Sequence, residues 1–149
     1  MKKLLSLIMI TVILSHLISC RSAPPPERLL TDFIAAYGAE GTVYHSGADE
    51  TDDGYIDPEL LSRIYMTDGD LPEDFAIFLN SHPSYGAECG AFLCRDESEL
   101  RRVTTILRER MALLDPDGDT SRLFRCGTTL FYSTMPDPDR VEHIFDTVV

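Results

Sequence analysis

Four stretches of the chain show the alternation of apolar and other residues, or the short apolar run, that predicts a β-strand. They are 75–79, 88–94, 123–126 and 129–134. In the first stretch Phe75, Ile77 and Leu79 share one face. The last two stretches flank Gly127, which predicts a tight hairpin between them. A fifth stretch, 42–45, is short and has the residue types of an extended segment.

Apolar residues recur at helical spacing in four other stretches, each with a start or a stop signal. The predicted helices cover 26–37, 57–65, 96–114 and 137–148. The third is the best defined, because Asp96 with Glu99 three residues later is a capping-box signature. We place four arginines of this helix on its outer side: Arg101, Arg102, Arg108 and Arg110.

These elements predict the fold class. From residue 75 onward their order is β-β-α-β-β-α, after one or two N-terminal helices. Helices that each bury one face against an antiparallel sheet form an α+β sandwich. We therefore predict an α+β domain with a four-stranded, mainly antiparallel sheet and helices packed on one of its faces.

The first 19 residues have the pattern of an export signal. Lys2 and Lys3 precede an apolar run from Leu4 to Ile18. As a helix this run spans about 22 Å, less than the roughly 30 Å of a bilayer's hydrocarbon core. A short basic segment followed by a short apolar run is typical of a secretory signal rather than of a transmembrane helix.

The end of that segment, Leu17-Ile18-Ser19-Cys20, resembles a bacterial lipobox. The resemblance implies cleavage after Ser19 and lipidation of Cys20, whose acyl chains hold a protein on a membrane at about 0.8 kcal/mol per buried methylene. The chain then divides into a signal peptide over 1–19, a lipidated, proline-rich spacer over 20–27 and a single domain over 28–149. The alternative is an ordinary signal peptide with a chance cysteine.

Charge excludes one class of partner. The chain of 149 residues has a formal charge of −12. Its only two lysines lie in the signal segment, so the remainder carries 11 arginines against 25 acids, a formal charge of −14. Because phosphate neutralisation needs clustered basic residues, this balance argues against nucleic acid as a partner. An apolar fraction of 44% also excludes a disordered chain.

Three cysteines remain after Cys20, an odd number: Cys89, Cys94 and Cys126. They are interpreted as small buried apolar residues, and Cys89 and Cys94 fall on opposite faces of one strand. Two alternatives stay open. One is a disulfide between Cys126 and either of the other two. The other is a cysteine nucleophile near one of three histidines, with no family signature around it: His45, His82 or His143.

An acidic stretch beginning at Asp49 is the best metal candidate. Read as a twelve-residue calcium loop, it offers oxygen ligands from four residues: Asp49, Thr51, Asp53 and Asp57. Its last position, which normally supplies a bidentate acid, is Leu60. We therefore favour a solvated acidic loop in which Asp57 caps the next helix. Calcium is the only cofactor that the residues suggest.

The landmarks of the chain resemble an uncharacterised family of lipoproteins from Firmicutes that is known only as a domain of unknown function. They comprise a short helix ending in tyrosine, the segment Asp70-Leu71-Pro72-Glu73-Asp74-Phe75, a small-residue strand closing on Phe92, the long helix, and a strand containing Leu130-Phe131-Tyr132. The resemblance covers about 29–148 and implies a cell-surface lipoprotein. It carries no catalytic residues to transfer.

Together these features predict a lipid-anchored protein on the extracytoplasmic face of the cell membrane. We expect a binding or interaction module rather than an enzyme, with an envelope protein or a small ligand as its partner. The alternatives are a surface enzyme that uses a cysteine nucleophile and a module weakly stabilised by calcium.

Overall fold

The computed structural model describes residues 22–68, 71–81 and 87–149. In these ranges the chain forms four helices and five strands. In chain order they are α1 (Pro26–Tyr37), β1 (Gly41–His45), α2 (Pro58–Ile64), β2 (Asp74–Asn80), β3 (Glu88–Leu93), α3 (Glu97–Leu114), β4 (Arg122–Cys126), β5 (Thr129–Ser133) and α4 (Pro138–Val148).

All five strands form one antiparallel sheet with the order β1-β2-β3-β5-β4. The α+β class is therefore confirmed, but the predicted count of four strands is wrong. The additional strand is β1, which pairs along β2 with Val43 opposite Phe78. Because β1 lies at the edge and no residue of it is fully buried, its apolar pattern is weak.

Helices cover both faces of the sheet, so the prediction of helices on one face is wrong. On one face α1 and α4 pack against Phe78, Ala91 and Phe131. On the other, α2 and α3 pack against residues that alternate with these, among them Phe92 and Tyr132. All five residues of β5 are buried, as expected of a strand enclosed on both sides.

The face of the sheet that α2 and α3 cover is the side on which the candidate functional site lies. Leu107 and Val103 of α3 are fully buried against the sheet. Gly90 of β3 allows close packing there, because a Cβ atom at this position would lie 2.8 Å from the Tyr132 ring. Asp96 caps α3 as predicted, since its Oδ1 accepts the backbone N–H groups of Ser98 and Glu99 at 2.9 Å.

Candidate functional site

The predicted lipidation and cleavage residues, Cys20 and Ser19, lie outside the described residues, as does His82. Within the described ranges, no helix is both long enough and apolar enough to cross a bilayer. The lipid anchor therefore stays a prediction from the sequence.

The acidic stretch from Asp49 to Asp57 forms a turn followed by a helix cap. Asp52 accepts the backbone N–H of Asp49 at 3.0 Å. The Asp57 carboxylate accepts the N–H groups of Glu59 and Leu60 at 2.8 and 3.1 Å, so it serves the start of α2. Thr51 and Asp53 are exposed. No group of three or more His, Cys, Asp or Glu side chains in the described part of the chain is arranged to hold a metal ion.

Two of the three cysteines are buried on opposite faces of the sheet, as predicted, whereas the prediction of burial is wrong for Cys126, which is only partly buried. Cys89 packs with α1 and α4, and Cys94 packs with α3. Burial raises the pKa of Cys89 well above its ordinary value and raises the pKa of Cys94 to about 11, so neither thiol ionises readily near neutral pH.

Strand order places Cys126 away from Cys89. Cys126 lies on β4, and β5 separates β4 from β3. Two strand spacings amount to about 9.6 Å, beyond the roughly 7 Å between Cα atoms that a disulfide can span. A disulfide between Cys126 and Cys89 is therefore incompatible with this sheet. Cys94 follows β3, and its backbone N–H donates to the carbonyl oxygen of Thr128 in the turn beside Cys126. Its side chain packs on the α2/α3 face, whereas Cys126 is in phase with Phe124 on the other face, so the two thiols point to opposite sides of the sheet.

The two described histidines lie apart from the buried cysteines. His45 ends β1 and is in register with Ala76 and, across β2, with Ala91, two strand spacings away. His143 is exposed on α4. Hydrogen bonding between a thiol and its base requires about 3 Å, so this fold does not bring Cys89 or Cys94 to either histidine.

A buried polar network lies under α3, where β3 begins. Glu88 accepts two hydrogen bonds from the Arg110 guanidinium, from Nε at 3.0 Å and from Nη2 at 2.6 Å. The hydroxyl of Tyr132 donates to the same carboxylate. The Tyr132 hydroxyl also lies 2.6 Å from the hydroxyl of Tyr65, at the end of α2. We call these residues the Glu88 network.

The Glu88 network joins four elements through groups that are almost removed from water. Only 4% of Glu88 is exposed, and 20% of the Arg110 side chain. Desolvation raises the pKa of Tyr65 and of Tyr132 well above 10, so both are neutral hydrogen-bonding groups at ordinary pH. The prediction that Arg110 belongs to the outer side of its helix is wrong, because its guanidinium is hydrogen-bonded to the buried Glu88 carboxylate.

A groove of about 540 Å³ lies between α3 and β4 on the same side of the sheet. Leu100, Leu123 and Leu130 supply apolar lining. Around them lie hydroxyl and guanidinium groups: Arg101, Thr104, Thr105, Arg108 and Arg125. Phe124 is the remaining lining residue. Since Arg101, Thr104, Thr105 and Arg108 are spaced i, i+3, i+4 and i+7, they form one stripe along α3. We call this surface the arginine groove.

The arginine groove is a local excess of positive charge on an acidic chain. No Asp or Glu lines it. Arg125 is bonded to Glu97 and donates from Nε to the carbonyl oxygen of Gly127 at 2.9 Å.

Within the described residues, seven arginines form ion pairs, whereas Arg101, Arg108 and Arg140 form none. Arg140 donates instead to the backbone carbonyl oxygen of Tyr37 at 2.9 Å, away from the groove. Sequence reasoning assigned Arg101 and Arg108 to a solvated helix face and missed the groove, because β4 becomes its opposite wall only in the folded sheet.

No protein-family model, curated protein or solved structure matches this chain. The resemblance to the Firmicutes lipoprotein family therefore stays a prediction based on the landmarks named above.

Proposed function

We propose that this protein is a lipid-anchored, extracytoplasmic binding module whose arginine groove takes an anionic partner. The anchor is supported by the basic start, the short apolar run and the Leu17–Cys20 box. An acidic domain held near an anionic lipid surface is repelled by it, which favours an outward-facing module over one lying flat on the bilayer.

The single observation that carries the binding function is the pair Arg101 and Arg108. Both guanidinium groups face a groove without carboxylates, in a chain of formal charge −12. A guanidinium presents a planar fork of donors that matches carboxylate and phosphate oxygens. Two such forks on one helix stripe, beside an apolar floor, therefore form a site for a negatively charged group attached to apolar structure.

Binding is tested with fluorescent poly-L-glutamate, titrated by anisotropy against the full chain in nonionic detergent. We expect saturable binding that weakens as salt is raised. The variant Arg101→Ser/Arg108→Ser should weaken it about fivefold or more, since each exposed ion pair contributes up to about 1 kcal/mol.

The matched control is Arg28→Ser/Arg63→Ser, which removes the same charge from two exposed helix arginines that do not line the groove. This control should bind the probe within about twofold of the unaltered protein, since it loses only diffuse charge. Equal weakening by both double variants, or an absence of saturable binding, would refute the groove as the binding site.

Metabolic labelling of cells tests the lipid anchor. Cells that express the full chain should incorporate labelled palmitate into it, and the protein should partition with membranes. The variant Cys20→Ser should lose the label and leave the membrane fraction. A labelled Cys20→Ser protein would contradict lipidation at this residue.

A further inference from the structure

Strand β4 is the outermost strand of the sheet on the side of the arginine groove. Cys126 and Thr129 flank a two-residue turn, in which Gly127 has a φ of +61°. Residues that flank such a turn exchange both of their backbone hydrogen bonds, and the bonded pairs then recur at every second position.

The backbone groups of two β4 residues therefore point away from the sheet. Arg122, Phe124 and Cys126 bond to β5, so the N–H and C=O groups of Leu123 and Arg125 face outward. None of the backbone hydrogen bonds that join turns, loops and caps in the described chain uses these four groups. Such an edge is a template for one more strand.

The side chains of Leu123 and Arg125 lie on the groove side of the sheet. They alternate with Phe124, whose ring stacks on Phe145 of the opposite face at 4.3 Å. An added strand would follow the same alternation, because its side chains also point to the two faces in turn. Every second side chain would enter the arginine groove beside Arg101 and Arg108, and the others would lie near Phe124.

We infer that the occupant of the arginine groove is an extended, acidic segment of a protein partner, which pairs with β4 as a sixth strand. This inference rests on the proposed function and narrows its partner. The charge of the groove selects acidic side chains at alternate positions, Phe124 favours apolar ones between them, and the outward groups of Leu123 and Arg125 supply main-chain hydrogen bonds. A free small anion would use the arginines and leave both the backbone groups and the apolar floor unused.

The test uses an eight-residue peptide of alternating glutamate and valine, with blocked termini, added to the full chain in detergent. Two isomers carry N-methyl groups, one on the glutamates and one on the valines, so that each loses a different row of backbone donors. One isomer should bind about tenfold more weakly than the parent peptide, and the other should bind nearly as well, because only one row faces β4. A peptide in which lysine replaces glutamate should not bind.

Hydrogen–deuterium exchange gives an independent readout. The amides of Leu123 and Arg125 should exchange fast in the free protein and slowly with the parent peptide. The amides of Phe124 and Cys126, which already bond to β5, are the internal control and should change little.

The outcomes separate the two proposals. Equal binding of both N-methylated isomers, with unchanged exchange at Leu123 and Arg125, would overturn strand addition while poly-L-glutamate binding still supports the groove. An absence of poly-L-glutamate binding would remove the proposed function itself. Protection of the same amides at high protein concentration without peptide, with a doubled mass in solution, would identify a second copy of this chain as the occupant and overturn the inference.

Discussion

Arg108 and Arg110 lie two residues apart on α3, but one side chain is exposed and the other is bonded to a buried carboxylate. Arg110 turns under the helix and forms two hydrogen bonds with the buried Glu88 carboxylate. Arg108 is exposed in a groove that no carboxylate lines. A rotation of about 200° around the helix axis separates the two positions. Arg110 thus stabilises the fold, whereas Arg108 is available to bind a partner.

This difference shows which arginines are neutralised by the acidic residues of the chain. Most arginines elsewhere on the described surface form ion pairs, as in those of Arg63 with Glu59 and Arg122 with Glu142. An excess of acids makes such pairs easy to form by chance. Unpaired arginines on one stripe are therefore more informative here than they would be on a basic protein.

The largest expected effect comes from breaking the Glu88 network. Arg110→Met should lower the free energy of unfolding by about 3–5 kcal/mol, because it leaves the buried Glu88 carboxylate without its cation. Urea denaturation followed by circular dichroism measures the change. The double variant Glu88→Met/Arg110→Met removes both charges and should recover most of the loss. If Arg110→Met cost less than about 1 kcal/mol, the pair would not be a buried ion pair in solution.

A smaller effect is expected from the tyrosines of the same network, at high pH. Desolvation raises the pKa of Tyr65 and Tyr132 in the folded state well above 10. A neutral acid whose folded pKa is raised contributes stability that is complete below the unfolded pKa near 10 and is lost as the pH rises above it. Unfolding should therefore accompany the ionisation of these two residues among the six tyrosines. Tyrosinate absorbance measures this, and a smooth titration of all six in the folded protein would contradict it.

Local signals in the sequence predicted the helices well. Pro26 starts α1, Asp96 caps α3, and Asp137 caps α4 by accepting the N–H of Arg140 at 3.2 Å, each through residues adjacent in the chain. Such interactions depend on a few neighbouring residues, so they can be recognised without the fold.

Features that depend on distant parts of the chain were missed. The second covered face of the sheet follows from strands buried on both sides, where apolar runs replace alternation. The Glu88 network joins residues up to 67 positions apart. The arginine groove needs β4 to lie beside α3, and a charge pattern on one helix does not specify its neighbour. The sequence therefore predicted the helices, four of the five strands and the α+β class, but neither the Glu88 network nor the arginine groove.

The smallest effect on stability is expected at Arg108, and it is the counterpart of the first prediction. Arg108→Gln should change the free energy of unfolding by no more than about 0.5 kcal/mol, because the exposed guanidinium has no ion pair within the described residues and glutamine has similar helix propensity. The same substitution should still weaken poly-L-glutamate binding by about twofold to fivefold, the amount expected for one exposed ion pair. Denaturation and anisotropy on one preparation measure both quantities. A loss of about 2 kcal/mol in stability would show that Arg108 already has a structural partner, and the contrast with Arg110 would then disappear.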